Sequence, residues 1–280
     1  MYKTIITLLT SLSVKALAAP LPTAIQKQNF VANYYPGNQD KTPVLVLEGS
    51  GSGIPKVLAE KISQLGHPVL ALAYYKEAKL PKHIEAIPLE YFEPAKTWLL
   101  EKNHSKELAV VGWSKGAEAA LLLSTLDERI RKVVAIAPSH VVWPGIVPGK
   151  SFPNSSWTMG DQPLPYVPYK ANGNIRSLVD LYSNSLKDTA AVEKAEIDLE
   201  QSQADLLLFS GGKDSVWPSK TMADLICKKA RQSKGEKSCV HHHYPNAGHL
   251  LDASIPLDGD PLANQEADKE SRSLIQAFLR

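Results

Sequence analysis

Three residues far apart in this 280-residue chain could together perform nucleophilic chemistry. Ser114 lies in Gly112-Trp113-Ser114-Lys115-Gly116, a G-x-S-x-G pattern. A serine hydroxyl is a weak nucleophile until a base takes its proton and an acid orients that base. The pattern demands a tight strand-to-helix turn with small flanking residues, followed in chain order by an acid and then a histidine. Asp214 in Ser210-Gly211-Gly212-Lys213-Asp214 and His249 in Asn246-Ala247-Gly248-His249 keep that order. Such a trio attacks an acyl carbonyl, holds the acyl group on serine and releases it to water. Each residue also has a plainer explanation: a serine helix cap, an Asx turn, a loop histidine. All three in order, each after an apolar run, point to a catalytic triad.

Attack on a carbonyl needs donors for the oxyanion. Lys115 N–H, at the start of the helix behind Ser114, is one candidate. Glu48-Gly49-Ser50-Gly51-Ser52-Gly53 follows an early apolar run and supplies the other, Ser50 N–H, or Gly51 if the loop is shifted by one. No G-K-[ST] follows these glycines, and the pattern is not G-x-G-x-x-G, so a nucleotide loop is a poor reading. His241-His242-His243 lies in a strand-like run, where consecutive side chains alternate faces and cannot converge on one ion. No metal and no cofactor is expected. His67, His83, His104 and His140 read as loop or surface residues, with His140 a candidate substrate contact.

The elements that must position the trio are legible as alternating patterns. Val44–Leu47, Pro68–Ala73, Leu108–Val111, Val133–Ala137 and Leu206–Phe209 are continuous apolar runs, and Cys239–Tyr244 is a plausible sixth. Such runs suit strands buried on both faces. Helical periodicity covers Ile54–Leu65, Leu89–Leu100, Ser114–Leu126, Ser219 to about Lys229 and Ser271–Leu279. This order predicts an α/β fold with a mostly parallel central sheet and helices on both faces. Residues 139–204 show no clear strand, hold many Pro, Gly and Asn, and look helical only over Leu178–Leu186. They are expected to form a cap-like insertion shaping the acyl pocket. Trp143, Phe152, Trp157, Tyr166, Tyr169 and Tyr182 favour packing over disorder.

Composition narrows the setting. Lys and Arg number 31 against 29 Asp and Glu, which leaves no basic excess for nucleic acid. Lys3, an apolar and hydroxyl stretch Thr4–Val14, and Ala16-Leu17-Ala18 read as a cleaved secretory signal over residues 1–18. Its apolar run is too short for the ~20 residues of a membrane span, and no stable membrane anchor is expected after processing. Residues 19–280 then form one catalytic domain, with 29 basic and 29 acidic residues. Export favours a Cys227–Cys239 disulfide closing a loop of roughly a dozen residues, worth at most ~3 kcal/mol.

From about Val44 to His249 the chain resembles the C-terminal catalytic domain of the acyl-CoA thioester hydrolase and bile-acid-CoA:amino acid N-acyltransferase family. The likeness rests on Val69-Leu70-Ala71-Leu72-Ala73-Tyr74, Ile87-Pro88-Leu89-Glu90-Tyr91-Phe92, Gly112 through Glu118, and Asp214 with Trp217-Pro218-Ser219. It implies an α/β-hydrolase fold and a Ser/Cys-Asp-His triad, carried here by Ser114, Asp214 and His249. Acyltransferase members use Cys where this chain has Ser114, so hydrolysis of a small-molecule acyl ester or thioester is expected. Animal members carry a β-rich domain first. Only about 25 processed residues precede Val44, so that domain is expected to be missing. An exported chain meets little acyl-CoA: either the signal reading fails or the substrate is another ester or thioester. A broad carboxylesterase or dienelactone-hydrolase-like enzyme, a peptidase of the same fold and a silent binding protein stay open beside it.

Overall fold

Apolar runs too continuous to face water on either side form the centre of an eight-stranded sheet. In the computed structural model, residues 20–25, 29–51, 53–232, 238–255 and 257–280 are described, and the expected signal over 1–18 lies outside them. In chain order the elements begin with β1 (Thr23–Ile25), β2 (Val31–Tyr35), β3 (Val44–Leu47), α1 (Lys56–Ser63), β4 (Val69–Ala73), β5 (Ile87–Pro88), α2 (Glu93–Lys102) and β6 (Leu108–Trp113). There follow α3 (Lys115–Leu126), β7 (Ile130–Ile136), β8 (Trp157–Met159), β9 (Gln162–Pro163), α4 (Leu178–Ser185) and α5 (Thr189–Ala195). The chain ends with β10 (Asp205–Gly211), α6 (Ser219–Gln232), β11 (Cys239–Tyr244) and α7 (Pro261–Phe278).

The sheet order is β1-β2-β4-β3-β6-β7-β10-β11. Strands β4 to β11 in that order are parallel, and β2 and β1 add antiparallel at one edge. Every residue of β3, β4 and β6 is buried. Two layers of helix achieve this. Leu58 and Ile62 of α1 with Ala267 and Ile275 of α7 cover Val46, Val111 and Phe209 on one face. Leu99 of α2, Leu121 of α3 and Ile226 of α6 cover Leu45, Val110 and Leu208 on the other. The chain goes from β3 to β4 on one side and then crosses to β6 on the other. That reversal opens a crevice beyond the C-terminal ends of β3 and β6, where open α/β sheets place their ligands.

Some elements differ from the sequence expectation. Strand β1 at the edge and β2 next to it are short and carry polar residues such as Asn33. Residues Leu89–Phe92 form a 3₁₀ turn before α2. Helix α7 starts at Pro261, ten residues before the expected Ser271. Asp260 caps it by accepting from Leu262 and Ala263 N–H. Its buried face begins with Asn264 and Ala267, too small and polar for a clear apolar period.

Residues 139–204 do contain strands, contrary to expectation: β8 pairs with β5 and β9 to make a small second sheet. Trp143, Val167 and Tyr182 pack with Trp217 and Met222 into a separate core. Of the six aromatics expected to pack, Phe152 instead stands 87% exposed. Cys227 of α6 and Cys239 of β11 form a disulfide, with Cα atoms 5.2 Å apart. No helix among the described residues is long and apolar enough to cross a membrane.

Candidate active site

Ser114 sits between β6 and α3 at φ 52°, ψ −114°, a conformation costly for any residue with a side chain. The surroundings enforce it. Ser114 N–H donates to Ile136 O at 2.9 Å, extending the ladder to β7 before the chain reverses into the helix. A Cβ on Gly112 would lie 2.2 Å from Gly116 O, and one on Gly116 would lie 2.5 Å from Glu48 O. Only glycine at both flanks lets strand and helix approach this closely. The serine side chain makes no helix-cap hydrogen bond, which removes the capping explanation for this residue.

Asp214 lies just after β10. Its Oδ1 accepts from Val216 N at 2.9 Å and Trp217 N at 3.1 Å. The Asx-turn explanation therefore holds, but it is how the carboxylate is held still. The same carboxylate accepts from His249 Nδ1, with both oxygens at 2.9 Å. The two side chains are 4% and 3% exposed. Nδ1 carries the shared proton in this arrangement, which leaves Nε2 as the basic nitrogen. The Trp217 ring stands edge-on to the imidazole, centroids 5.6 Å apart, while its indole N–H donates to Ala137 O.

Ser114 and His249 line one cavity of about 750 Å³, together with Glu48, Gly49, Ser50 and Gly51. Gly49 N–H is engaged by Glu48 Oε1 at 2.9 Å. Gly49 O accepts from the Tyr75 hydroxyl at 3.1 Å. In a trans peptide the following N–H points opposite to the carbonyl, so Ser50 N–H is turned away from Tyr75. Burial pushes the Tyr75 hydroxyl well above the ordinary phenol range, keeping it a donor. Lys115 N–H lies in the first turn of α3, where no intrahelical acceptor exists.

The Lys115 side chain points elsewhere. Its Nζ lies 2.8 Å from both carboxylate oxygens of Glu118, and the two side chains are 1% and 0% exposed. Burial pulls the ammonium down and pushes the carboxyl up, and their mutual attraction opposes both shifts. Glu118 Oε1 also accepts from Trp157 Nε1 at 2.7 Å and Trp143 N at 3.2 Å.

Asp258 is a residue that sequence reasoning missed. Its Oδ1 accepts from His249 N at 2.7 Å and its Oδ2 from Ser215 N at 2.6 Å. One carboxylate thus joins the loops that carry His249 and Asp214. The Asp-Gly-Asp turn it belongs to was the only trace of it in the sequence.

Of the other histidines, His83 and His104 are exposed, as expected. His67 is buried with Nδ1 2.8 Å from Thr42 O, not a surface residue. His140 is buried too and does not line the Ser114 cavity, so it is not placed as a substrate contact. His241 and His243 both approach Ser210 Oγ, at 2.7 and 3.0 Å, while His242 stacks against Phe209. Among the described residues no group of three or more His, Cys, Asp or Glu side chains could hold a metal.

A family profile described as BAAT / Acyl-CoA thioester hydrolase C terminal matches residues 87–257, more than half of the chain. The chain belongs to this family. Among curated relatives, the family member is 28% identical to acyl-coenzyme A thioesterase 5 of Mus musculus over 262 residues, 87% of this chain and 61% of that protein. It is 28% identical to the mitochondrial acyl-coenzyme A thioesterase 2 of Homo sapiens over 255 residues, 82% of this chain and 50% of that one. The chain thus spans between half and two thirds of these relatives' length.

Solved structures share its fold. A dienelactone hydrolase-like promiscuous phosphotriesterase from metagenomic libraries superposes with a TM-score of 0.55 at 14% identity, covering 93% of this chain and 99% of that one. A puromycin-hydrolyzing peptidase of Mycobacterium tuberculosis gives 0.61 at 14% identity, over 97% of this chain and 40% of that one. The fold of this BAAT / acyl-CoA thioester hydrolase family member is that of the α/β-hydrolases, as the sequence led one to expect.

Proposed function

We propose that the protein is a serine hydrolase that cleaves an acyl thioester or ester through an acyl-serine intermediate. The observation that carries this is a strained, uncapped Ser114 sharing a cavity with His249, whose Nδ1 is held by Asp214. Ser114 Oγ attacks the acyl carbonyl as His249 Nε2 takes its proton. Asp214 stabilises the imidazolium. Ser50 and Lys115 N–H receive the oxyanion, a role favoured by the Tyr75 contact that turns Ser50 N–H away. His249 returns the proton to the leaving thiol or alcohol, then activates water to release the acid. Curated relatives named acyl-coenzyme A thioesterases support a thioester as the scissile bond.

A panel crossing acyl length with thioester, ester and amide tests this. Ser114→Ala should lose at least ~10³-fold in kcat/KM on every hydrolysed member. Retained turnover would refute the assignment, and a panel cleaved only at amides would make the protein a peptidase.

We further propose that residues 1–18 are removed on export, leaving residues 19–280 as one hydrolase domain with 139–204 inserted between β7 and β10. The Cys227–Cys239 disulfide is consistent with an oxidising compartment. N-terminal sequencing of protein recovered from that compartment should begin at Ala19. An intact Met1 would contradict the reading.

A further inference from the structure

We infer that three consecutive side chains, Tyr74, Tyr75 and Lys76, clamp the loop after β3 and so fix the Ser50 N–H that receives the oxyanion. This rests on the proposed Ser114 reaction and gives it positioning residues outside the candidate trio.

Tyr74-Tyr75-Lys76 directly follows β4. Strands β3 and β4 are parallel neighbours, with Leu47 opposite Leu72, so the chain leaves the sheet at both C-terminal ends side by side. All three side chains then reach carbonyls of the neighbouring loop. The Tyr74 hydroxyl donates to Glu48 O at 2.6 Å, the Tyr75 hydroxyl to Gly49 O at 3.1 Å, and Lys76 Nζ to Gly51 O at 2.8 Å. Lys76 holds φ 59°, a left-handed backbone that residues with a side chain rarely adopt, and its N–H donates to Pro81 O at 2.6 Å. Strain of this kind persists where the surroundings enforce it, and it gathers at functional sites.

The middle contact matters most. Gly49 O and Ser50 N–H belong to one planar peptide unit. The hydroxyl that holds the oxygen sets the direction of the N–H and, by polarising the unit, strengthens it as a donor. This unit stands beside the nucleophile: a Cβ on Gly49 would lie 3.1 Å from Ser114 Cβ and 3.8 Å from Ser114 Oγ. Gly49 N–H is taken by Glu48 Oε1, which leaves Ser50 N–H as the next donor along the loop. Glycine has the backbone freedom to let this peptide turn over and present its oxygen to the oxyanion instead. The clamp removes that freedom before substrate arrives. Tyr74 and Tyr75 are 1% and 3% exposed, and burial keeps both phenols protonated, hence donors.

The experiment compares kcat and KM on p-nitrophenyl butyrate with inhibition by a trifluoromethyl alkyl ketone, whose adduct with Ser114 is itself an oxyanion. Phosphonyl uptake from a fluorophosphonate at completion counts the active sites in each variant. Tyr75→Phe should lower kcat about tenfold with KM little changed, part of the ~10²–10³-fold that one oxyanion donor supplies, and should weaken the ketone by a similar factor. Lys76→Met should lower both readouts in the same sense by a smaller factor. Tyr91→Phe is the control for loss of a buried hydroxyl: Tyr91 donates to Ala73 O at 2.7 Å, next to the clamp but not part of it. It should keep the wild-type kcat and ketone affinity.

Tyr75→Phe with wild-type kcat and ketone affinity would overturn the clamp, as would an equal fall in Tyr91→Phe or a change confined to KM. If Tyr75→Phe does not fold, the exposed Lys76→Met decides by the same two readouts. Wild type that neither takes up the phosphonyl group nor hydrolyses the ester would instead overturn the hydrolase reading, and the clamp with it.

Discussion

Asp258 shows how much of the proposed site can depend on a residue outside its candidate trio. Its two oxygens bind the backbone N–H groups of His249 and Ser215, so one carboxylate ties the loop of His249 to the loop of Asp214. Misplacement by about an ångström costs on the order of 10²-fold in rate. Asp258→Ala should therefore lower kcat by about 10²-fold while KM changes little. Asp258→Asn, whose amide can accept only on its oxygen, should fall between. Steady-state kinetics on one good substrate checks this, and an unchanged kcat in Asp258→Ala would show that the two loops hold their places alone. That Ser114, Asp214 and His249 come together was legible in the sequence, because the pattern around Ser114 carries with it a chain order of acid and then histidine. Asp258 was not legible, because a carboxylate that binds backbone N–H groups leaves no spacing rule behind. Tyr75 was hidden in the same way. Its contribution is a hydroxyl aimed at one carbonyl, 26 positions away in the chain.

At the scale of elements, α3 connects the turn at Ser114 to the segment 139–204. Its first turn carries Lys115 and Glu118 as a fully buried ion pair, and Glu118 also receives the N–H groups of Trp143 and Trp157. Removing one partner leaves the other charge buried without compensation, which typically costs 3–5 kcal/mol. Glu118→Leu should destabilise the protein by about that amount, and Lys115→Met with Glu118→Leu should recover most of it. Urea unfolding of the three variants measures this, and equal stability of single and double variants would contradict it.

Five of the six parallel strands could be read from sequence because burial on both faces writes an apolar run, whereas β11, with three histidines and mostly half-buried residues, shows less clearly. The small strands β5, β8 and β9 could not be read. Ile87–Pro88 and Gln162–Pro163 are two residues each, and nothing local distinguishes them from loop. Helix α7 was half legible: its apolar end shows, whereas its start is written only in the Asp260-Pro261 cap.

The whole molecule carries a buried histidine that ties its stability to acidity. His140 is 6% exposed and its Nδ1 has no hydrogen-bond partner. Burial, with a smaller contribution from Lys229, pulls its pKa down to about 4 against the attraction of Glu196. The unfolded chain therefore takes up this proton first. The contribution of a neutral His140 is fully present above the unfolded value near 6.5 and is lost as pH falls from there towards 4. The loss amounts to roughly 3 kcal/mol at most. The urea midpoint should drop between pH 7 and pH 4.5, and drop less in His140→Asn. Equal drops in both proteins would remove His140 from the account.

At this scale the proposed reaction needs three side chains, separated by as many as 135 positions, to act on one acyl carbonyl, with Ser114 Oγ as the atom that bonds to it. Peptide mapping by mass spectrometry after reaction with a fluorophosphonate tests it most directly. Wild type should gain a single phosphonyl group on the peptide containing Ser114, Ser114→Ala should gain none, and His249→Ala should react at least ~10³-fold more slowly. An unlabelled wild type, a label on some other residue, or a His249→Ala variant that reacts at the wild-type rate would contradict it.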